Sequence, residues 1–573
     1  MSRHDPAATA LAGGAQGPAH LGPLTTVVLE ALASGAASRG GPLPAGGPDA
    51  VAERVRAACS PPLPDLGTGA VQALRDLVHA VAAGAADPAD PGCVAHLHCP
   101  ALAVAAAADL AASALNPSMD SWDQAPAAAA LEEQTTAALA ALVYPDLPAP
   151  DALITSGGTE SNLTALLLAR ERAHARGARG IQILCGANTH HSVHRAAWIL
   201  GLPTPVTVEC RAGRMLPEAL DRALSDVPAP ALVVATAGTT DEGLIDPLPE
   251  IARVTASHGA ELHIDAAYGG PLLFSHRLAP RLDGIQSAVS VTFDLHKLGW
   301  QPIAAGVLAV ADSTTLRPLS VSADYLNADD DTEAGLPDLL GRSVRTSRRP
   351  DTLKIAVTLR ALGRRGLGDL VETCVHAAER FAARVDAHPA LRRRPGEIGI
   401  TTVLFRPVAA DALPDEAGDE LVARVRRDLL DRGGAVLGRA RATDSGADSH
   451  SGAHSRSGAD SDGSRRAGDT NGSGPARLWL KATLLHPHAQ EADLERLVAL
   501  VAETAAAAAA RPPESEAPKS QPQPPSQPQP QPQSRPQPQS RPQPQSQPQS
   551  RPQSRPQSRP RPQSRPHHEG DTP

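Results

Sequence analysis

An α/β architecture, with a mostly parallel sheet in a large domain and a small C-terminal α/β domain after it, follows from two features of this chain. From Ala152 onward, short apolar runs alternate with amphipathic stretches of helical length. That rhythm is the pattern of parallel strands joined by helices covering both faces of the sheet. The small, polar and glycine-rich segments come directly after the apolar runs, at the strand ends where sheets of this kind meet their ligands.

Along the 573 residues, positions 1–49 are Ala/Gly/Pro-rich and are expected to stay disordered. Residues 50–145 alternate Ala/Leu-rich helical patterns with polar breaks and read as an N-terminal helical segment. Residues 146–347 form the large domain, with strands at 181–184, 231–235 and 261–264 and helices at 217–224 and 249–258. Residues 348–505 form the small domain, with strands at 401–405 and 477–483. A Ser/Gly/Asp-rich insertion, 440–475, is expected between two antiparallel strands of that domain; its His450 and His454 lack any ligand spacing and read as loop residues. The tail, 511–573, is Pro, Gln, Ser and Arg with almost nothing apolar to offset its ordering entropy, so disorder is expected there too.

Composition narrows the function classes. A net charge of −9 argues against a general nucleic-acid binder, although the tail alone is basic. The first forty-odd residues lack a basic stretch followed by an apolar core, so no signal peptide is expected, and no apolar run of membrane-spanning length is expected either. The six cysteines are scattered without paired spacing and read as free thiols of a cytoplasmic protein, and no metal site is expected.

Three motifs carry chemistry. Asp294-Leu295-His296-Lys297 follows an apolar strand, and His263-Ile264-Asp265-Ala266-Ala267 ends another upstream. Pyridoxal phosphate needs both a lysine to hold it as a Schiff base and a carboxylate to keep its pyridine nitrogen protonated. Further upstream, Ser156-Gly157-Gly158-Thr159-Glu160-Ser161-Asn162 opens a run of strong helix formers. Small residues there leave backbone N–H groups and the helix dipole open to a phosphate.

Together and in this order the motifs resemble those of the pyridoxal-phosphate-dependent group II amino-acid decarboxylases, over roughly residues 50–505. The nearest flavour is that of bacterial 2,4-diaminobutyrate and siderophore-type lysine decarboxylases, through His96-Leu97-His98-Cys99-Pro100, the stretch Asn116-Pro117-Ser118-Met119-Asp120-Ser121-Trp122-Asp123-Gln124, and Trp300-Gln301-Pro302. The resemblance implies the aspartate aminotransferase-like fold (pyridoxal-phosphate fold type I), a homodimer with sites at the subunit interface, and a small amino-acid substrate.

It also assigns residues. Lys297 becomes the Schiff-base lysine and Asp265 the partner of the pyridine nitrogen; His190 stacks on the cofactor ring and Ala267 packs on its other face. Gly158 and Thr159 are implied at the phosphate, Thr239 and Thr240 near the cofactor, and His296 beside the lysine. Tyr325 is implied to close over the neighbouring subunit's site and return a proton to the substrate, a task shared with His190. Arg348 matches the arginine that grips the substrate α-carboxylate, with Arg349 the competing candidate because Pro350 departs from the family pattern. The segments that look like the substrate pocket bring His98, Asp120 and Asp123 but no arginine or lysine, which points to a distal ammonium and a diamino acid, with Asp123 its partner. Rival readings are decarboxylation of lysine, ornithine, an aromatic or an acidic amino acid, transamination or aldehyde formation on the same cofactor, and an inactive scaffold for the tail; Tyr325 argues against aldehyde formation.

Overall fold

The computed structural model describes residues 5–228, 230–321, 326, 330, 333–337, 339–444 and 475–511. Tyr325, most of the 440–475 insertion and nearly all of the tail lie outside these residues.

Seven strands make the central sheet: β1 (Asp151–Thr155), β2 (Gln182–Gly186), β3 (Val206–Val208), β6 (Ala231–Thr236), β7 (Glu261–Asp265), β8 (Ser290–Asp294) and β9 (Gly306–Val310). The short ribbon β4 (Cys210–Arg211) and β5 (Arg214–Met215) stands apart. The sheet order is β1-β9-β8-β7-β6-β2-β3. Pairing is parallel from β3 across to β8, while β9 runs antiparallel to both β8 and β1. Hence β1 points the same way as β8, and the carboxyl ends of β1, β2, β6, β7 and β8 all open on one edge.

Every residue of β6 is buried, because both faces of a parallel sheet are covered. Successive side chains leave a strand on opposite faces. Val233 and Ala235 accordingly join one apolar cluster with Leu139, Leu220 and Ile251. Leu232 and Val234 join the other, with Leu166, Ala169 and Val193. The first face is covered by α6 (Pro126–Val143), α9 (Pro217–Asp226) and α10 (Leu248–Ser257), the second by α7 (Gly158–Ala175) and α8 (Ser192–Ile199).

A second, wholly antiparallel sheet, β10 (Leu391–Arg393), β11 (Thr402–Pro407), β13 (Arg477–Thr483) and β12 (Gly438–Ala442) in that order, packs under the helices Asp415–Asp431 and Glu491–Ala509. The insertion leaves from β12 and returns into β13, its antiparallel neighbour. The long helix Thr352–Ala387 serves both cores: Ile355, Val371 and Val375 pack on the large sheet, Ala378, Phe381 and Val385 on the small one.

The N-terminal segment corrects the expectation of disorder. Beyond the short α1 (Pro6–Thr9), α2 (Gly17–Arg39) is a 23-residue helix, followed by α3 (Gly47–Cys59), α4 (Ala70–Gly84) and α5 (Ala103–Leu115). Small residues are the reason α2 and α4 can lie so close. A Cβ at Gly35 would stand 2.6 Å from that of Ala82, and Arg39 donates to the Ala82 carbonyl at 2.8 Å. By length and composition α2 is also apolar enough to cross a membrane, against the expectation that no such run exists.

Candidate active site

The strand ends enclose a cavity of about 400 Å³ lined by residues from β1/α7, β2/α8, β6, β7, β8 and β13. At its floor the chain turns from β1 into α7 through Gly157, whose φ of 154° favours glycine. A Cβ there would stand 3.0 Å from the His296 ring, and one on Gly158 would stand 3.1 Å from the Ala267 Cβ. The first turn of α7 therefore presents bare backbone N–H groups, beside the Thr159 hydroxyl, to the cavity.

Asp265 ends β7 and is 5% exposed. Its Oδ1 accepts from the Ala267 N–H at 3.0 Å and its Oδ2 from the Asn162 amide at 2.7 Å. Lys297 sits one strand over, its Nζ 2.9 Å from Oδ2 of Asp294, and His296 Nε2 is 3.6 Å from the same oxygen. Burial holds His296 below the ordinary histidine range, with Asp294 pulling the other way. Asp294 keeps Oδ1 without a hydrogen-bond partner among the described residues.

His190, at the start of α8, lines the cavity, and its Nδ1 faces the Ser192 hydroxyl at 2.8 Å. Burial lowers its pKa as well, opposed by Asp265. Behind it, fully buried His263 spans from the Asn162 carbonyl oxygen (3.0 Å) to the Ser290 hydroxyl (2.8 Å), and burial pushes its pKa down to about 4. An unfolded chain takes up this proton near pH 6.5, whereas the folded one resists until about pH 4. Folding stability is therefore fully present above the unfolded value and declines as pH falls through that window. His263→Asn, which cannot titrate, should flatten this part of a urea-midpoint profile between pH 7 and 4; an unchanged slope would refute the assignment.

Of the residues singled out from sequence, the structure brings Lys297, Asp265, His190, Gly158, Thr159, Ala267, Thr240 and His296 to this one cavity. Others do not reach its lining. The Thr239 hydroxyl accepts from the Leu244 N–H at 3.1 Å and so closes its own turn. Asp123 accepts from the Ser121 hydroxyl at 2.5 Å, Asp120 from Ser118 at 2.8 Å, and His98 also lies outside the lining. Arg348 is buried in a bidentate pair with Glu132 of α6, both contacts 2.7 Å, so its guanidinium is committed to a protein carboxylate. Arg349 turns to Asp109 and Ser113.

The cavity also holds groups the sequence reading left without a role. Asn162 and Asp294 stood inside the motifs, but their tasks depend on partners distant in the chain. His96, with a φ of 57°, stood in the His-Leu-His run beside the residue chosen there. Lys481 arrives from β13, in the other sheet; its Nζ donates to the Thr240 carbonyl at 2.9 Å, and burial lowers its pKa. Its only sequence signal was a lone cation in an apolar strand.

Bare helix-start amides, a buried carboxylate and a lysine around one cavity fit a phosphorylated pyridine aldehyde. A family model for the pyridoxal-dependent decarboxylase conserved domain matches residues 57–408. The chain is 42% identical to L-2,4-diaminobutyrate decarboxylase of Rhizobium meliloti (strain 1021) over 389 residues, 66% of this chain and 76% of that protein. It is 34% identical to the enzyme of the same name from Acinetobacter baumannii over 400 residues, 65% of this chain and 78% of the other. Among solved structures, the glutamate decarboxylase domain of diaminobutyrate-pyruvate transaminase and L-2,4-diaminobutyrate decarboxylase from Vibrio parahaemolyticus superposes with a TM-score of 0.70 at 28% identity, covering 87% of this chain and 98% of that one. The likeness bears out the aspartate aminotransferase-like fold that the motifs implied.

Proposed function

The chain belongs to the pyridoxal-dependent decarboxylase family, and on that premise we propose that it removes the α-carboxylate of a diamino acid, L-2,4-diaminobutyrate ahead of ornithine or lysine. The products are carbon dioxide and a diamine such as 1,3-diaminopropane. Convergence of Lys297 and Asp265 on one cavity carries the reaction class; the 42% identical diaminobutyrate decarboxylase supports the substrate.

Bound pyridoxal phosphate supplies an electron sink for the pair released when the carbon–carbon bond breaks. The rest falls to the protein. Lys297 would hold the cofactor covalently, and Asp265, oriented by Asn162 and the Ala267 N–H, would keep its ring nitrogen protonated. Gly158, Thr159 and the α7 dipole would receive its phosphate. His190 and Ala267, which both line the cavity, would hold the cofactor ring between them, with Thr240 and His296 alongside. Tyr325, outside the described residues, returns the proton to the α-carbon of a neighbouring copy's substrate, which makes the working unit a homodimer. Six free cysteines support a reducing compartment, the cytoplasm. Residues 146–347 hold the cofactor and 348–505 form the smaller domain.

The test is carbon dioxide release from a panel of L-amino acids with added cofactor. Diaminobutyrate should exceed lysine in kcat/KM by about tenfold or more, since chain length in a shaped pocket discriminates on that scale, and should exceed glutamate and tyrosine by more. A preference for glutamate or tyrosine would overturn the substrate, and the absence of carbon dioxide from every amino acid would overturn the reaction.

A further inference from the structure

Behind the cavity, one buried amide ties together two of the residues that meet the cofactor. The Asn162 side chain is fully buried, with Nδ2 2.7 Å from Asp265 Oδ2 and 2.9 Å from Ser192 Oγ, and Oδ1 3.0 Å from His263 Nε2. The opposite amide orientation would set its oxygen against a carboxylate oxygen, two acceptors face to face, so the orientation is dictated by the partners. Both Nδ2 protons are then committed, one to Asp265 and one to Ser192. The Asn162 oxygen takes the Nε2 proton of His263, whose Nδ1 lies 2.8 Å from the Ser290 hydroxyl and 3.1 Å from the Ser290 carbonyl oxygen.

The consequence reaches His190. Ser192 Oγ accepts from Asn162, and its own single proton is free to be donated. His190 Nδ1, 2.8 Å away, is positioned to receive it. The Ser192 backbone N–H also points at this nitrogen, at 3.3 Å. Two donors converge on Nδ1, which therefore acts as an acceptor and carries no proton. Neutral imidazole has one N–H, and it must be on Nε2, which makes no hydrogen bond among the described residues.

We propose that Asn162 and Ser192 are positioning residues that lock His190 in its Nε2–H tautomer, so that the histidine presents a hydrogen-bond donor to the cavity and not a base. The proposal deepens the decarboxylase reading, and rests on it, only in the use made of that donor: an N–H beside the cofactor is suited to hold the departing carboxylate or to supply a proton. Burial, which keeps the imidazole neutral, acts in the same direction. The charged and titratable groups facing it are Asp265, Asp294, Lys297 and His191.

The experiment uses full-length protein labelled with 15N-histidine, read by NMR without turnover, and then by kinetics with cofactor. In the wild type His190 should show a proton-free Nδ1 and a protonated Nε2. Ser192→Ala, which deletes the stronger donor, should produce a tautomer mixture, lower kcat by about tenfold or more, and shift the pH profile of kcat; Ser192→Thr, which keeps the hydroxyl, should restore all three. A wild-type signal with the proton on Nδ1 overturns the proposal even where the variant does not fold. So does a Ser192→Ala protein with an unchanged tautomer and pH profile. Failure of the decarboxylase reading would be seen separately, as wild-type protein of the expected tautomer that releases no carbon dioxide.

Discussion

Lys297→Ala should leave a protein that forms no borohydride-reducible adduct with pyridoxal phosphate and turns over more than about a thousandfold more slowly, because the proposed mechanism takes from Lys297 both its covalent anchor and an amine positioned to move protons. Lys297 is 2.9 Å from Asp294, whose side chain is only 2% exposed. Deleting the ammonium strips a buried carboxylate of its closest cation and leaves it with His296 at 3.6 Å. A carboxylate buried without a close cation is costly. Some loss of stability therefore accompanies the loss of chemistry, and the two are separated by measuring urea unfolding of the cofactor-free protein alongside turnover. A variant that keeps both a reducible adduct and wild-type turnover would remove Lys297 from the centre of the site.

What could be seen in the sequence was what local chemistry specifies. β6 could be read from its continuous apolar run because a strand buried on both faces has no polar side to show. Asp265, Lys297 and Gly158 could be placed at the cavity because each stands at, or three residues beyond, the carboxyl end of a strand, and strands of one direction deliver their ends to one edge. Asn162 was in plain view within a motif, yet its role depends on Asp265, Ser192 and His263, which the sequence does not mark as its neighbours. Lys481 was hidden for the same reason more strongly, since it reaches the cavity from a different sheet. The N-terminal segment misled in the other direction. Its Ala and Gly content resembles an unordered stretch, but small side chains are what allow α2 to approach α4 at Gly35. Arg348 was misjudged because a double arginine shows a carboxylate is wanted without showing whose.

That carboxylate belongs to Glu132, and replacing Arg348 tests the consequence. The side chains of the pair are 2% and 5% exposed, and each of the two terminal guanidinium nitrogens meets its own carboxylate oxygen at 2.7 Å. Removing one partner of such a pair leaves a charge buried without compensation, which costs about 3–5 kcal/mol. Replacing both with apolar groups removes the attraction and the desolvation penalty together, and is often close to neutral. Arg348→Met alone should therefore lower the urea midpoint sharply, and Glu132→Leu combined with Arg348→Met should recover most of the loss. A residue whose task was to grip the substrate would behave otherwise: Arg348→Met would raise KM with little change in stability, and the Glu132 replacement would rescue nothing. Because Glu132 lies on α6 and Arg348 just precedes the long helix Thr352–Ala387, the pair fastens the N-terminal helical segment to that helix's entry. The thermodynamic cycle on urea midpoints decides between the two roles, and a single variant as stable as the wild type would return Arg348 to the substrate.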